Sequence, residues 1–225
     1  MLGTIANITA VAVGGLLGVI IGRKLRERYV DILFQAIGLV TMGIGVSMVL
    51  ESKNLIVAVV SMVLGSLVGE ALNLERGLEK SADALKRMLP FKSERFNDGF
   101  IAATILYCVG SMAVLGSIED GLGMFPKLLY TKSIMDGVSS VALAAAMGVG
   151  VLFSIIPVAL YQGILTLFAS GISSVMSDAM IAEMTSVGGL MLIGISLNLL
   201  KIRHVSVTNM LPTIVIAPLL AYIFL

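Results

Sequence analysis

The sequence predicts an all-helical bundle that crosses a bilayer about eight times. Three observations carry this. The 225 residues are 58% hydrophobic and only 13% charged, where soluble domains carry about 25% charge. The mean hydropathy is +1.04. The basic residues gather in a few clusters between long apolar runs. A hydrocarbon core about 30 Å thick takes roughly 20 apolar residues per helix, so the length accommodates one membrane domain, residues 1–225, and no soluble catalytic domain.

Apolar runs bounded by charge or turn residues place the spans near 2–22, 33–50, 54–72, 99–117, 132–149, 153–171, 179–200 and 208–224. The fifth and sixth are separated by the glycines of Met147-Gly148-Val149-Gly150-Val151 and by Pro157. Charge supports that separation, because cytoplasmic loops collect Lys and Arg. With eight spans and an outside N-terminus, the inner side receives Arg23, Lys24, Arg26 and Arg28, six basic residues in 76–95, and Lys201 with Arg203. The outer side keeps Lys53, Lys127 and Lys132. Both termini are therefore expected outside. No charge precedes the first apolar run and four basic residues follow it, the reverse of a cleavable signal, so residues 1–22 are expected to remain.

The polar connection 74–96 has Leu74, Leu78, Leu85 and Leu89 at helical spacing, with Arg76, Glu79, Lys80, Asp83, Lys86 and Arg87 elsewhere, and ends at Pro90. That pattern fits an amphipathic cytoplasmic helix on the inner leaflet, either a plain connector or a partner-binding element.

Met42-Gly43-Ile44-Gly45-Val46-Ser47-Met48-Val49-Leu50 matches Met191-Leu192-Ile193-Gly194-Ile195-Ser196-Leu197-Asn198-Leu199 at five of nine positions. The spans that follow each copy also correspond, and the copies would point oppositely through the membrane. Halves near 1–73 and 130–225 would then form an inverted-topology repeat, an arrangement of secondary transporters with a site near the midplane.

Polar groups inside spans cost roughly 2.5–3.5 kcal/mol each, so they mark candidate sites. Asp136 lies one turn inside the fifth span, followed by Ser139 and Ser140 at helical spacing. These oxygens suit a hard cation or a proton relay; the alternative is a salt bridge with Lys132, four residues earlier. Tyr161 and Gln162 sit near the middle of the sixth span, one turn after Pro157, which frees a carbonyl at Phe153. With Gly148 and Gly150 they suggest a discontinuous helix lining a site, or an ordinary proline kink. Asn7 and Asn198 either join the same cavity or act as interhelical glue. Glu119 and Asp120 are expected at the outer mouth, where acids concentrate cations. Asn97 and Asp98 read as an N-cap of the fourth span, and Glu70 and Glu183 as near enough to span ends to reach water. Gly14, Gly18 and Gly22, and Gly65 with Gly69, form small-residue faces that serve a dense bundle or a homo-oligomer.

Several classes are excluded or disfavoured. No GxxxxGK[ST] loop occurs, so the chain alone does not use ATP. One histidine, His204, and one cysteine, Cys108, offer neither a zinc site nor a nucleophilic couple, so no cofactor, metal or enzyme activity is expected. The polar cluster at one headgroup level that a lipid-modifying enzyme needs is not found. A net charge of +1 without a basic aromatic stripe argues against nucleic acid.

Val109-Gly110-Ser111-Met112-Ala113-Val114-Leu115-Gly116-Ser117-Ile118-Glu119-Asp120-Gly121-Leu122, Tyr130-Thr131-Lys132-Ser133-Ile134-Met135-Asp136-Gly137, and the stretch from Gly148 through Pro157 to Tyr161-Gln162-Gly163 resemble the YqgA/YdfK-like bacterial inner-membrane proteins, a domain of unknown function (554). The resemblance covers essentially the whole chain. It implies the bacterial inner membrane and a sodium channel or pump as one activity, and supplies no catalytic residues. The expected reading is a membrane transporter or channel for a small solute or cation, with membrane lipid around it. A structural assembly protein acting through its glycine faces is the alternative.

Overall fold

A computed structural model describes residues 1–77, 80, 87 and 95–224. All regular structure among them is helical. The helices are α1 (Leu2–Gly22), α2 (Glu27–Val49), α3 (Leu55–Ala71), α4 (Phe96–Cys108), α5 (Ser111–Gly121), α6 (Lys127–Met147), α7 (Gly150–Phe153), α8 (Ile155–Leu167), α9 (Ala169–Ser173), α10 (Asp178–Leu199) and α11 (Thr213–Phe224), with a 3-10 turn at Val207–Met210. Most of the expected amphipathic connector, including Leu78, Glu79, Asp83, Leu85, Lys86, Leu89 and Pro90, lies outside the described residues.

Each of the eight segments expected to span is helical, but not all by the same means. Five helices are long and apolar enough to cross a membrane, α7 and α8 counting together as Gly150–Leu167. A sixth arises if α4 and α5, bent by 62° at their junction, form one broken span. The remaining two segments are α3, with 17 residues, and α6, long enough at 21 residues but carrying Lys132, Ser133, Asp136, Ser139 and Ser140.

Local chemistry sets the ends. The Asn54 side chain accepts the Ile56 N–H at 3.1 Å to cap α3, and Ser177 accepts the Met180 N–H at 3.3 Å to cap α10. Gly148, at φ 81°, stops α6 in a conformation that a side chain would resist. Gly110, at φ 128°, makes the break after α4. Gly148 lies between α6 and α7, whose first residue is Gly150, and the break at Gly110 was not expected from the sequence. Pro157 falls in the first turn of α8, where its missing N–H leaves no helical bond unmade. Asn97 and Asp98 lie within the first turn of α4 rather than ahead of it.

The chain divides into two compact units, Met1–Phe34 with Ala82–Cys108 and Met112–Val175, and Gln35–Ser81 with Val109–Ser111 and Met176–Leu225. In the first, α1 lies parallel to α6: Gly3 faces Leu129, Gly14 faces Gly137, Gly18 faces Ala144 and Gly22 faces Ala145. A Cβ on Gly14 would fall on the Gly137 carbonyl oxygen. α8 runs antiparallel to α1, with Thr4 opposite Thr166 and Asn7 opposite Gln162. α4 runs antiparallel to α6, Gly99 meeting Met147 and Tyr107 meeting Ser140.

In the second unit α10 is central, 83% of its best apolar window being buried. α2 is antiparallel to it, Gly38 facing Leu200 and Gly45 facing Gly189. α3 is antiparallel to α11, Gly65 packing on Thr213 and Gly69 on Asn209. The glycine faces are thus spent within the units. Many large aliphatic and aromatic side chains are exposed, among them Leu39 at 62%, Ile56 at 73% and Tyr222 at 71%. Serines, threonines, amides and the carboxylates of Asp136 and Glu183 are buried. That inversion suits hydrocarbon surroundings.

Two glycines separate close packing from lipid exposure. Gly14→Ala is expected to lower stability by about 1–3 kcal/mol through overpacking against backbone. Gly43→Ala, with nothing within 4 Å of the added carbon, is expected to gain about 0.5–1 kcal/mol. Thermal unfolding in detergent followed by helical circular dichroism checks the opposite signs.

Candidate functional site

The first unit gathers most of the polar side chains expected to matter. On α6, positions 132, 136 and 140 share a face by helical periodicity. Lys132 Nζ lies 2.9 Å and 2.7 Å from the two Asp136 carboxylate oxygens, and each side chain is 8% exposed. Lys132 is therefore a buried partner of Asp136 and not a loop cation. Of the two readings of Asp136, the salt bridge is the one formed. One turn on, Ser140 donates to the Asp136 carbonyl at 2.7 Å. A carbonyl only accepts, so the serine proton is committed there, and the 2.8 Å contact from Tyr107 has the phenol donating to Ser140. Ser139 is half-buried and makes none of these contacts.

α1 and α8 add a short polar ladder. Asn7 Nδ2 donates to Gln162 Oε1 at 3.3 Å, and Asn7 lies beside Asp136. Both amides are fully buried, yet Asn7 Oδ1 and Gln162 Nε2 have no partner. One turn away Thr4 donates to Asp120 at 3.2 Å, so the 3.1 Å contact with Thr166 has Thr166 as donor. Cys108, at the end of α4, interacts electrostatically with Lys132 and Asp136, and half-buried Tyr161 with Cys108. Lys132 with Asp136 and Asn7 with Gln162 thus form two neighbouring side-chain pairs, with Ser140, Tyr107, Cys108 and Tyr161 around them.

Other expected residues fall elsewhere. Asp120 is buried, not at an open mouth: it accepts the Met1 ammonium at 2.7 Å and the Thr4 N–H at 3.1 Å. Glu119 is half-buried, 3.4 Å from the Leu128 N–H. Asn198 belongs to the second unit and is fully used, donating to the Val205 carbonyl at 2.9 Å and accepting its N–H at 2.7 Å. It staples the turn after α10 and does not join Asn7. Glu183 does not reach water. It has no exposed surface and accepts the Lys53 and Asn54 N–H groups at 2.6 Å and 2.7 Å, with Ser52 Oγ at 2.9 Å. Glu70 is exposed and accepts from Asn209 at 2.7 Å.

Sequence reasoning missed Tyr107, Thr4 and Thr166. The apolar run ending Tyr107-Cys108-Val109-Gly110 contained the signal, a polar aromatic one turn before a glycine break. Among the described residues no group of three His, Cys, Asp or Glu could hold a metal.

A buried ion pair is costly to break from one side only. Asp136→Ala leaves Lys132 uncompensated and is expected to cost about 3–5 kcal/mol, whereas Lys132→Met combined with Asp136→Leu is expected to be near neutral. A double-mutant cycle of unfolding in detergent gives both values.

The chain resembles an uncharacterised membrane protein YdfK of Bacillus subtilis, 30% identical over 227 residues, covering 99% of this chain and 96% of that protein. It also resembles an uncharacterised protein YqgA of Escherichia coli, 30% identical over 222 residues, covering 96% and 94%. No solved structure matches it. The family model described as "Protein of unknown function (DUF554)" matches residues 2–222, and together with a relative named as a membrane protein and the helices above it makes this chain a membrane protein that belongs to the DUF554 family.

Proposed function

We propose that this protein is a transporter or channel for a small solute or cation, driven by a gradient, without enzymatic activity. The observation that carries the reading is the Lys132–Asp136 pair, buried inside an apolar bundle and bordered by Asn7, Gln162, Tyr107 and Ser140. A pair of ionised side chains within a membrane bundle is a weak source of stability, since apolar residues of similar volume serve as well. Such groups mark ion and solute pathways and proton relays.

Helix directions support eight crossings with both termini outside the bacterial inner membrane. α1 and α6 run parallel, so the chain between them crosses an odd number of times, satisfied when α2, α3 and the α4–α5 pair each cross. The antiparallel pairs α1–α8, α4–α6, α2–α10 and α3–α11 all fit the same alternation. With Lys132 buried, the outer side retains only Lys53 and Lys127 beside the cytoplasmic clusters, which sharpens the charge asymmetry. An inverted repeat is part of the same proposal. Its corresponding spans, α2 with α10 and α3 with α11, pack antiparallel within one unit. The glycine faces that recommended an assembly role or a homo-oligomer are occupied internally, so the transport reading is preferred.

Purified protein in liposomes tests this with imposed gradients of protons, monovalent cations and small polar solutes. Wild type is expected to dissipate at least one gradient. Asp136→Asn is expected to slow that flux about tenfold to a hundredfold and Gln162→Ala about fivefold, from loss of a charged and a neutral hydrogen bond. If both variants match wild type for every ion and solute, this site is not the transport site.

A further inference from the structure

The unspent hydrogen-bonding groups around Asp136 discriminate between the ions it could exchange. Hard metal cations gather about six oxygen ligands. Here both carboxylate oxygens already lie on Lys132 Nζ, at 2.9 Å and 2.7 Å, and a metal ion beside them would meet a fixed ammonium. The groups facing Asp136 from the packed helices add no second carboxylate. α6 itself brings Lys132; α4 brings Tyr107 and Cys108; α8 brings Gln162, with Tyr161 next to Cys108. α1 brings Asn7 and, like α7, carries no titratable side chain.

The amide pair is the second observation. Asn7 and Gln162 are both fully buried, and each keeps one polar atom without a partner. One is an acceptor, Asn7 Oδ1; the other is a donor, Gln162 Nε2. Asn7 is the neighbour that α1 sets beside Asp136. Exchanging oxygen and nitrogen in both amides would still leave one donor and one acceptor. A cation can use the oxygen but is repelled by the NH2.

We propose that the ion exchanged at this site is a proton, carried on the Asp136 carboxylate with Lys132 as its built-in counter-ion. The proposal rests on the transport reading above. Uptake transfers H⁺ from water to one carboxylate oxygen; Lys132 stays an ammonium, and the pair passes from net zero to net +1. No coordination shell has to be assembled, and a neutral Asp136 carboxyl keeps a carbonyl oxygen to accept from Lys132.

Infrared difference spectra of the purified full chain in detergent, stepped from neutral to acidic pH, read the protonated carboxyl band directly. A component present in wild type and absent in Asp136→Asn belongs to Asp136. If that variant does not fold, Lys132→Met combined with Asp136→Leu replaces it. The expected midpoint is the same in sodium chloride as in choline chloride, and in liposomes a pH gradient imposed without sodium is dissipated by wild type and not by the variant. A metal ion competing for the carboxylate would move the midpoint by about one pH unit for each tenfold change in sodium. That shift overturns the proton assignment while leaving Asp136 as a transport site. Failure to observe an Asp136 band while the protein stays folded also overturns it. A sodium-insensitive band in liposomes that pass no protons overturns the transport reading together with the proposal.

Discussion

In the first unit everything polar depends on α1 and α6 lying with their backbones in contact. Both are 21-residue helices, and they meet where α1 presents Gly3, Gly14, Gly18 and Gly22 to Leu129, Gly137, Ala144 and Ala145. Small residues permit that approach, and in a membrane it is dispersion and hydrogen bonding, not the hydrophobic effect, that reward it. The consequence is chemical as well as steric. Asn7 sits two turns before Gly14 and is brought against the polar face of α6, where it meets Asp136. A wider α1–α6 separation would leave a lysine, an aspartate and two serines to hydrocarbon, at roughly 2.5–3.5 kcal/mol for each charge.

The second unit uses the same close packing for a different end. Its buried polar side chains are mostly tied to backbone: Glu183 to the N–H groups of Lys53 and Asn54, Asn198 to both polar atoms of Val205, Asn209 to the Glu75 N–H. Each closes a turn next to the helix that carries it. In the first unit the principal contacts run between side chains: Lys132 to Asp136, Asn7 to Gln162, Tyr107 to Ser140, Thr4 to Thr166. Side-chain partners exchange by rotamer changes, whereas releasing Glu183 or Asn198 would undo a turn. Rearrangeable chemistry is therefore concentrated in one unit and fixed chemistry in the other.

This division also explains what could be read without coordinates. Helical segments were legible because a bilayer demands about 20 apolar residues in a row, and Asp136, Gln162 and Asn7 were legible because each is expensive inside such a run. Depth near span ends was not. A carboxylate there can snorkel to water or fold onto a neighbour, and Asp120 and Glu183 found their partners 116 and 130 residues away, at Thr4 and Lys53. The break in the fourth span was not legible for a related reason. Gly110, lacking any proline, breaks the fourth span because its φ of 128° is open to glycine and resisted by other residues.

The placement of the ion pair on a single helix has its own consequence. An interhelical salt bridge holds two elements together, and separating its charges strains the packing around them. Lys132 and Asp136 are four residues apart on α6, so they form with the helix itself and their contact does not by itself hold α6 to its neighbours. Opening the pair requires rotation of two side chains while Gly14 and Gly18 remain seated on α6. The geometry of the pair is thus set by α6, and that of the glycine interface by backbone contact between α1 and α6.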